Sequence, residues 1–226
     1  MLKLLPGLHQ FKSEVHSQNE KFFERLASGQ TPDAIFITCS DSRVVPDLIT
    51  QTEPGSLFVI RNAGNIVPAY SAESDSPAEE ATIEYAINQL NVKEIIVCGH
   101  SGCGAMTGLL QMEKLDAMPA VKKWLKHTER TLDIIARDYC DLDWDCKISA
   151  AIQVNVLVQL ENLRTLPCIS KRIMKREIEL HGWVYDIESG EVYIFDPIDE
   201  EFKAPVKTRD GFDLNSGKTY SNKNLS

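Results

Sequence analysis

Two short segments, Cys39-Ser-Asp-Ser-Arg43 and Cys98-Gly-His100-Ser-Gly-Cys103-Gly104, hold the residue types that bind and activate a metal ion. Zinc favours thiolate and imidazole in a tetrahedral arrangement, and Cys39, His100 and Cys103 supply three such donors. His100 and Cys103 stand three apart, which lets two side chains converge where the segment turns into a helix. Gly99, Gly102 and Gly104 permit a tight backbone bend there. A structural zinc site presents four closed ligands, whereas three leave one place for water or substrate, as catalysis needs. Asp41, two residues after Cys39, could fill or serve that fourth place. Each motif alone is weak, because a lone buried cysteine is usually a small hydrophobe and Cys98 could instead pair with Cys103. Together, at the ends of two neighbouring strands, they become specific.

The surrounding pattern supplies those strands. Ala34-Ile-Phe-Ile-Thr38, Leu57-Phe-Val-Ile60 and Glu94-Ile-Ile-Val-Cys98 are short apolar runs rich in β-branched residues, which suits buried parallel strands. Between the second and third, a helix is expected from Pro77 to Leu90, with Ala81, Tyr85 and Gln89 in one row. This alternation argues for an α/β fold: a mostly parallel central sheet flanked by helices, whose sites form beyond the carboxyl ends of the strands. An amphipathic N-terminal helix is expected over Gln10 to Leu26, with Phe11, Val15, Phe22 and Leu26 as its stripe and Gly29 as its stop. Further helices are expected over Pro119 to Tyr139, with Val121, Leu125, Leu132 and Ala136 in a stripe, and over Asp145 to Leu163. His181 to Asp196 reads as a hairpin on a sheet edge. Residues 1–204 are expected to form one domain, with 1–30 as a helical arm, and 205–226 a polar tail or an arm on a partner.

Composition narrows the classes. Twenty-four Lys and Arg against 33 Asp and Glu give the 226 residues a net charge of −9, the wrong sign for neutralising nucleic-acid phosphates. Six cysteines are too few for a disulfide scaffold of this length. Leu2, Leu4 and Leu5 before Pro6 are too short a cluster for a signal-peptide core of about 7–15 residues. No apolar run approaches the roughly 18 residues of a membrane helix. The expectation is a cytoplasmic protein with no membrane or nucleic-acid partner, whose thiols stay reduced.

CSDSR followed by HSGCG resembles the signature of the β-class carbonic anhydrases. The likeness runs from Leu5 to Ala204 and includes Gly29-Gln30, Glu53-Pro-Gly55, Phe58-Val-Ile-Arg-Asn-Ala-Gly-Asn65, Ile83-Glu-Tyr85-Ala and His181-Gly-Trp183. It implies one zinc per subunit, held by Cys39, His100 and Cys103, with water or hydroxide in the fourth position attacking carbon dioxide to give bicarbonate. By the same likeness Asp41 accepts a hydrogen bond from that hydroxide and Arg43 holds Asp41 in a charge-assisted fork. In a closed state of regulated members this aspartate moves onto the metal. Gln30, Phe58, Tyr85 and Gly104 match substrate-pocket positions. In the family that pocket draws on a neighbouring subunit, so a homodimer or dimer of dimers is implied.

Two thiolates neutralise Zn²⁺ formally, so its water should be less acidic than that of histidine-ligated carbonic anhydrases, documented at about 7. Activity rising on the alkaline side of neutrality is therefore expected. Phe36 and Thr38 stand where the bicarbonate-inhibited subtype looks like Trp and Gly, which favours the plant-like subtype with Asp41 paired to Arg43. The stretch Tyr70 to Glu80 carries Ala78 and Glu80 where the family usually has glycines, leaving the pocket entrance open to question. His9, His16, His127 and His181 lack partner motifs and read as structural histidines. Cys140 and Cys146 flank Asp-Leu-Asp-Trp-Asp, whose charges suit helix capping, and Cys168, Trp124 and Trp183 suit packing. Hydrolysis of carbonyl sulfide or carbon disulfide on the same ligand set is the rival enzymatic reading. A zinc-stabilised, non-catalytic assembly module is the rival of another class, and Asp41, Arg43 and Gln30 argue against it.

Overall fold

The structure, a computed structural model, describes residues 2–72, 78–209 and 211–220. In chain order its helices are α1 (Leu5–Gln10), α2 (Glu20–Ala27), α3 (Pro46–Thr50), α4 (Ala78–Asn88), α5 (Gly104–Leu109), α6 (Pro119–Leu125), α7 (Glu129–Asp138), α8 (Trp144–Thr165) and α9 (Pro167–Met174). The strands are β1 (Ala34–Cys39), β2 (Leu57–Asn62), β3 (Glu94–His100), β4 (Glu179–Tyr185), β5 (Val192–Asp196), β6 (Glu201–Lys203), β7 (Val206–Thr208) and β8 (Gly211–Asp213). Six of them form one sheet in the order β2-β1-β3-β4-β5-β6. The first four run parallel, β5 is antiparallel to β4, and β6 is antiparallel to β5.

β1 is buried at every residue, so it has no solvent face and its sequence is apolar without alternation. On one side Ile35, Ile37, Ile95 and Val97 pack with the apolar residues of α8, and on the other Phe36, Ile96 and Cys98 pack with Trp183 and Tyr185. No helix is long and apolar enough to cross a membrane among the described residues.

The three strands match the apolar runs read from sequence, and the hairpin is present as β4 and β5. The hairpin is not the edge, however: β6 adds outside β5, and β4 is interior because it also pairs with β3. The N-terminal helix is broken. After a 3₁₀ turn at Leu2–Leu4, α-helix begins at Leu5, loosens to a π-helix over Phe11–His16 and stops at Asn19, whose φ of −127° and ψ of 30° are not helical. Ser13, Ser17 and Asn19 each bond back to the carbonyl four residues earlier, the side-chain competition that weakens helices. Phe11 and Phe23 then meet at 5.7 Å between ring centroids, so the arm folds on itself, and none of its helical residues is buried.

The expected helix from Pro119 to Tyr139 is likewise interrupted by a 3₁₀ turn at Lys126–Thr128. That turn shifts the buried face of α7 to Thr131 and Ile135, away from Ala136. In α4 the buried face is Ile83, Ala86 and Ile87, and the Ala81, Tyr85, Gln89 row is exposed. Pro77 and the centre of the Tyr70 to Glu80 stretch lie outside the described residues. Among the described residues beyond Ala204, β7 and β8 form a hairpin, and the Tyr220 amide donates to the Phe202 carbonyl at 2.7 Å.

Candidate metal centre

β1 and β3 lie side by side with Thr38 opposite Cys98, so Cys39 and His100 fall one and two residues beyond that pair. β2 flanks β1 on its other side, and the strand order therefore reverses here, the point at which open α/β sheets bind ligands. The pleat sends Cys39 toward the α8 face and His100 toward the opposite one, and the two meet beyond the strand ends. The chain then turns through Gly102, at φ +64°, and α5 begins directly after Cys103. Of the three glycines expected to make this bend, Gly102 alone takes a left-handed conformation. Gly99 serves close approach, because a Cβ there would stand 3.0 Å from Val156 and 3.1 Å from Ile152 of α8.

The ligand atoms of Cys39, His100 and Cys103 all lie within 4.8 Å of one another, and all three residues are buried. His100 Nδ1 lies 3.0 Å from the Ser101 carbonyl oxygen, a contact in which the ring must donate. Nε2 is then a buried acceptor, and it has no hydrogen-bond partner. Leaving such a lone pair unmet is costly, and a cation removes the cost. The thiols point the same way. Cys39 is held at about 4, mainly by its hydrogen bond with Cys103, against the effect of burial. Cys103 is driven upward by the same hydrogen bond to Cys39, by burial and by the neighbouring thiolate charge. A divalent cation between the sulfurs cancels that opposition and accepts both as thiolates, so these residues fit a metal ion.

Asp41 stands at the edge of the cluster, with Oδ2 3.9 Å from His100 Nε2. Its Oδ1 accepts from the Arg43 backbone N–H at 3.0 Å and from Nε at 2.9 Å, and its Oδ2 accepts from Nη2 at 2.8 Å. The Arg43 guanidinium holds the Asp41 carboxyl well below the usual carboxylate range. Cys98 faces away from this cluster, and burial pushes its thiol up to about 12.

Several supporting residues had no role assigned from sequence. Arg61 donates to the carbonyls of Cys39 at 3.2 Å and Asp41 at 2.8 Å, clamping the loop after β1. The Gly64 N–H reaches Cys39 Sγ at 3.4 Å. Ser101 donates to Asp186 at 3.2 Å and accepts from the Ile187 N–H at 2.9 Å, tying the ligand loop to the β4–β5 turn. Arg61 and Gly64 lie within a motif quoted above, but their partners become visible only once strands are paired.

Gly104 sits at the metal end, with open space where a Cβ would be. Gln30, Phe58 and Tyr85 are not brought there. Phe58 lies opposite Ile35, whereas Cys39 lies opposite Asn62. That is four residues, or about 13 Å along the strand. Tyr85 is 49% exposed with its ring 6.3 Å from that of Phe58, and Gln30 is exposed before β1. Among the other histidines, His181 is satisfied by Glu94 at 2.7 Å and His16 stacks on Phe23 at 4.7 Å. Asp143 caps α8 by accepting from the Cys146 N–H at 2.8 Å.

Three mixed donors buried at a switch point, with an ionised carboxylate beside them, form a group that could hold a single metal ion on an α/β sheet. Comparison with known proteins narrows that description. The carbonic anhydrase family profile matches residues 34–192. A carbonic anhydrase of Synechocystis is 48% identical over 206 residues, 91% of this chain and 74% of the relative. One of Pseudomonas aeruginosa is 43% identical over 204 residues, 89% of this chain and 90% of the relative. The solved structure of the β-carbonic anhydrase CcaA superposes with a TM-score of 0.88 at 48% identity, covering 91% of this chain and 99% of that one. A tetrameric β-carbonic anhydrase of Sordaria macrospora gives 0.74 at 32% identity, covering 84% and 93%. This chain belongs to the β-class carbonic anhydrases.

Proposed function

We propose that Cys39, His100 and Cys103 hold one zinc ion per subunit and that the chain there hydrates carbon dioxide reversibly to bicarbonate and a proton. The observation that carries this reading is the buried, unpartnered His100 Nε2 facing two thiols. When bound, the zinc supplies the Lewis acidity that makes water nucleophilic near neutral pH. Asp41, ionised and gripped at both oxygens, can only accept. It takes a hydrogen bond from the attacking water and so turns the water's lone pair toward the substrate carbon. Arg43 fixes the direction of that acceptor and holds it off the metal, which supports the open, plant-like arrangement. In the closed alternative this fork would break, and Asp41 would join Cys39, His100 and Cys103 in holding the ion.

Phe58 and Tyr85 offer apolar ring surface to a small nonpolar gas, Gln30 offers an amide donor, and Gly104 leaves the approach beside Cys103 free. Because the first three stand far from the metal of their own chain, we assign them to the site of a partner subunit, in a homodimer or dimer of dimers. Residues 1–204 act as one catalytic domain in this reading, and 205–226 as a polar C-terminal tail. All six cysteines are free, which suits a reducing compartment, and we place the protein in the cytoplasm without membrane or nucleic-acid partners.

Elemental analysis and stopped-flow hydration on one preparation test the proposal. One zinc per chain together with carbon dioxide turnover is expected. Turnover of carbonyl sulfide or carbon disulfide in place of carbon dioxide, or protein that neither retains zinc nor turns over, would overturn it.

A further inference from the structure

α8 is the longest helix and is largely buried, yet one of its faces carries Asn155, Gln159 and Asn162, at i, i+4 and i+7 and exposed by 1%, 0% and 7%. Three amides in a core helix are expensive unless each is met. They are met largely by one segment, the turn from Gly64 to Val67. Asn155 Nδ2 donates to the Gly64 carbonyl at 2.9 Å, Gln159 Oε1 accepts from the Val67 N–H at 2.9 Å, and Asn162 Nδ2 donates to the Val67 carbonyl at 2.8 Å. The amides also bond to each other, Gln159 Nε2 to Asn155 Oδ1 at 2.9 Å and Asn162 Nδ2 to Gln159 Oε1 at 3.2 Å. Thr128 closes the far side, donating to Asn155 Oδ1 at 2.7 Å and accepting from Gln159 at 3.0 Å.

The segment they hold would not keep its shape unaided. Gly64 and Asn65 take successive left-handed conformations, at φ +86° and +49°. Ala105 stands 2.9 Å from where a Gly64 Cβ would lie. This geometry points the Gly64 N–H at Cys39 Sγ.

We propose that Asn155, Gln159 and Asn162 are positioning residues for the metal centre, aiming the Gly64 N–H at the Cys39 sulfur through the Gly64–Val67 turn. A hydrogen bond to a thiolate withdraws electron density from it, so the sulfur gives less charge to a metal and the metal stays more acidic. The ladder therefore acts on the electronics of the site from a helix that supplies no ligand. The inference rests on the assignment of Cys39 as a metal ligand.

Its test uses the full chain loaded with Co²⁺, whose sulfur-to-metal charge-transfer absorption reports electron density on the thiolates. In Asn155→Ala the band moves to longer wavelength, because the sulfur regains the electron density that the hydrogen bond withdrew. Leu160→Ala, a buried apolar truncation on the same helix, lowers the melting temperature but leaves the band in place. If Asn155→Ala fails to fold, Asn162→Ala, at the ladder's outer end, decides with a smaller shift of the same sign. An unmoved band in whichever amide variant folds, or an equal shift in Leu160→Ala, overturns the proposal. Wild-type protein that binds cobalt with no thiolate band would instead overturn the ligand assignment.

Discussion

The two ends of the central sheet are built to different standards. At the carboxyl end, side by side on β1 and β3, loop carbonyls, a thiol and a carboxylate are each met by a named donor: Arg61 on the Cys39 and Asp41 carbonyls, Gly64 on the Cys39 sulfur, Arg43 on Asp41. Two buried atoms there have no partner among the described residues, Asn65 Nδ2 and His100 Nε2, and the second is an acceptor facing the two thiols. At the amino end of β1 and β2, Gln30 and Tyr85 are exposed and Phe58 is half-buried, and among the described residues no side-chain hydrogen bond holds them. One chain can preorganise a metal centre by itself, because the ligands lie on paired strands. It cannot also bring strand starts to strand ends, and a pocket that needs both must join two subunits.

The sharpest way to break this comparison is at the ligands. Cys39→Ser and Cys103→Ser each remove one thiolate of the three donors, so zinc is expected to fall below a tenth of one equivalent, with hydration at the uncatalysed level, by elemental analysis and stopped-flow. Asp41→Asn comes next: it preserves shape but places a donor where an acceptor is required. Zinc should be retained and kcat should drop about a hundredfold. Near-native turnover would remove Asp41 from its role.

A smaller effect is expected at the amino end. Tyr85→Ala should leave the zinc content and absorption of the centre untouched while lowering kcat/KM about tenfold, as loss of a ring lining an apolar pocket does. A changed metal content in that variant would mean that the two ends are not independent. The mildest test is titration. Arg43 depresses the Asp41 carboxyl in the folded state, so the fork's contribution to stability is fully present above the unfolded value near 3.9 and is lost only as pH falls through the lower folded one. Carboxyl ¹³C shifts of Asp41 should therefore show no midpoint between about pH 3 and 5, whereas Arg43→Ala should restore one there.

What was legible in the sequence follows the same division. Strand runs such as Ala34-Ile-Phe-Ile-Thr38 announce themselves because burial on both faces leaves Thr38 as the one polar residue of the run, and the donors at their ends are chemically conspicuous. The broken helices were not legible, since the stripe Val121, Leu125, Leu132, Ala136 presumes unbroken periodicity and a single 3₁₀ turn rotates it. Nor was the separation of Phe58 from Cys39, which depends on strand register. The Asn155, Gln159, Asn162 row did leave a signal, amides at helical spacing within an apolar run, but its partner segment lies about ninety residues earlier in the chain.

The pairing of β1 with β3 also dictates when the centre can exist during folding. Thr38 and Cys98 are 60 residues apart in sequence, and neither ligand motif completes the donor set without the other. Closing that loop costs chain entropy before any contact repays it, and parallel pairing across an intervening strand and helix is intrinsically slow. The complete donor set of Cys39, His100 and Cys103 therefore comes together only once β1 and β3 have paired. A metal ion held by all three would be taken up no faster than that pairing.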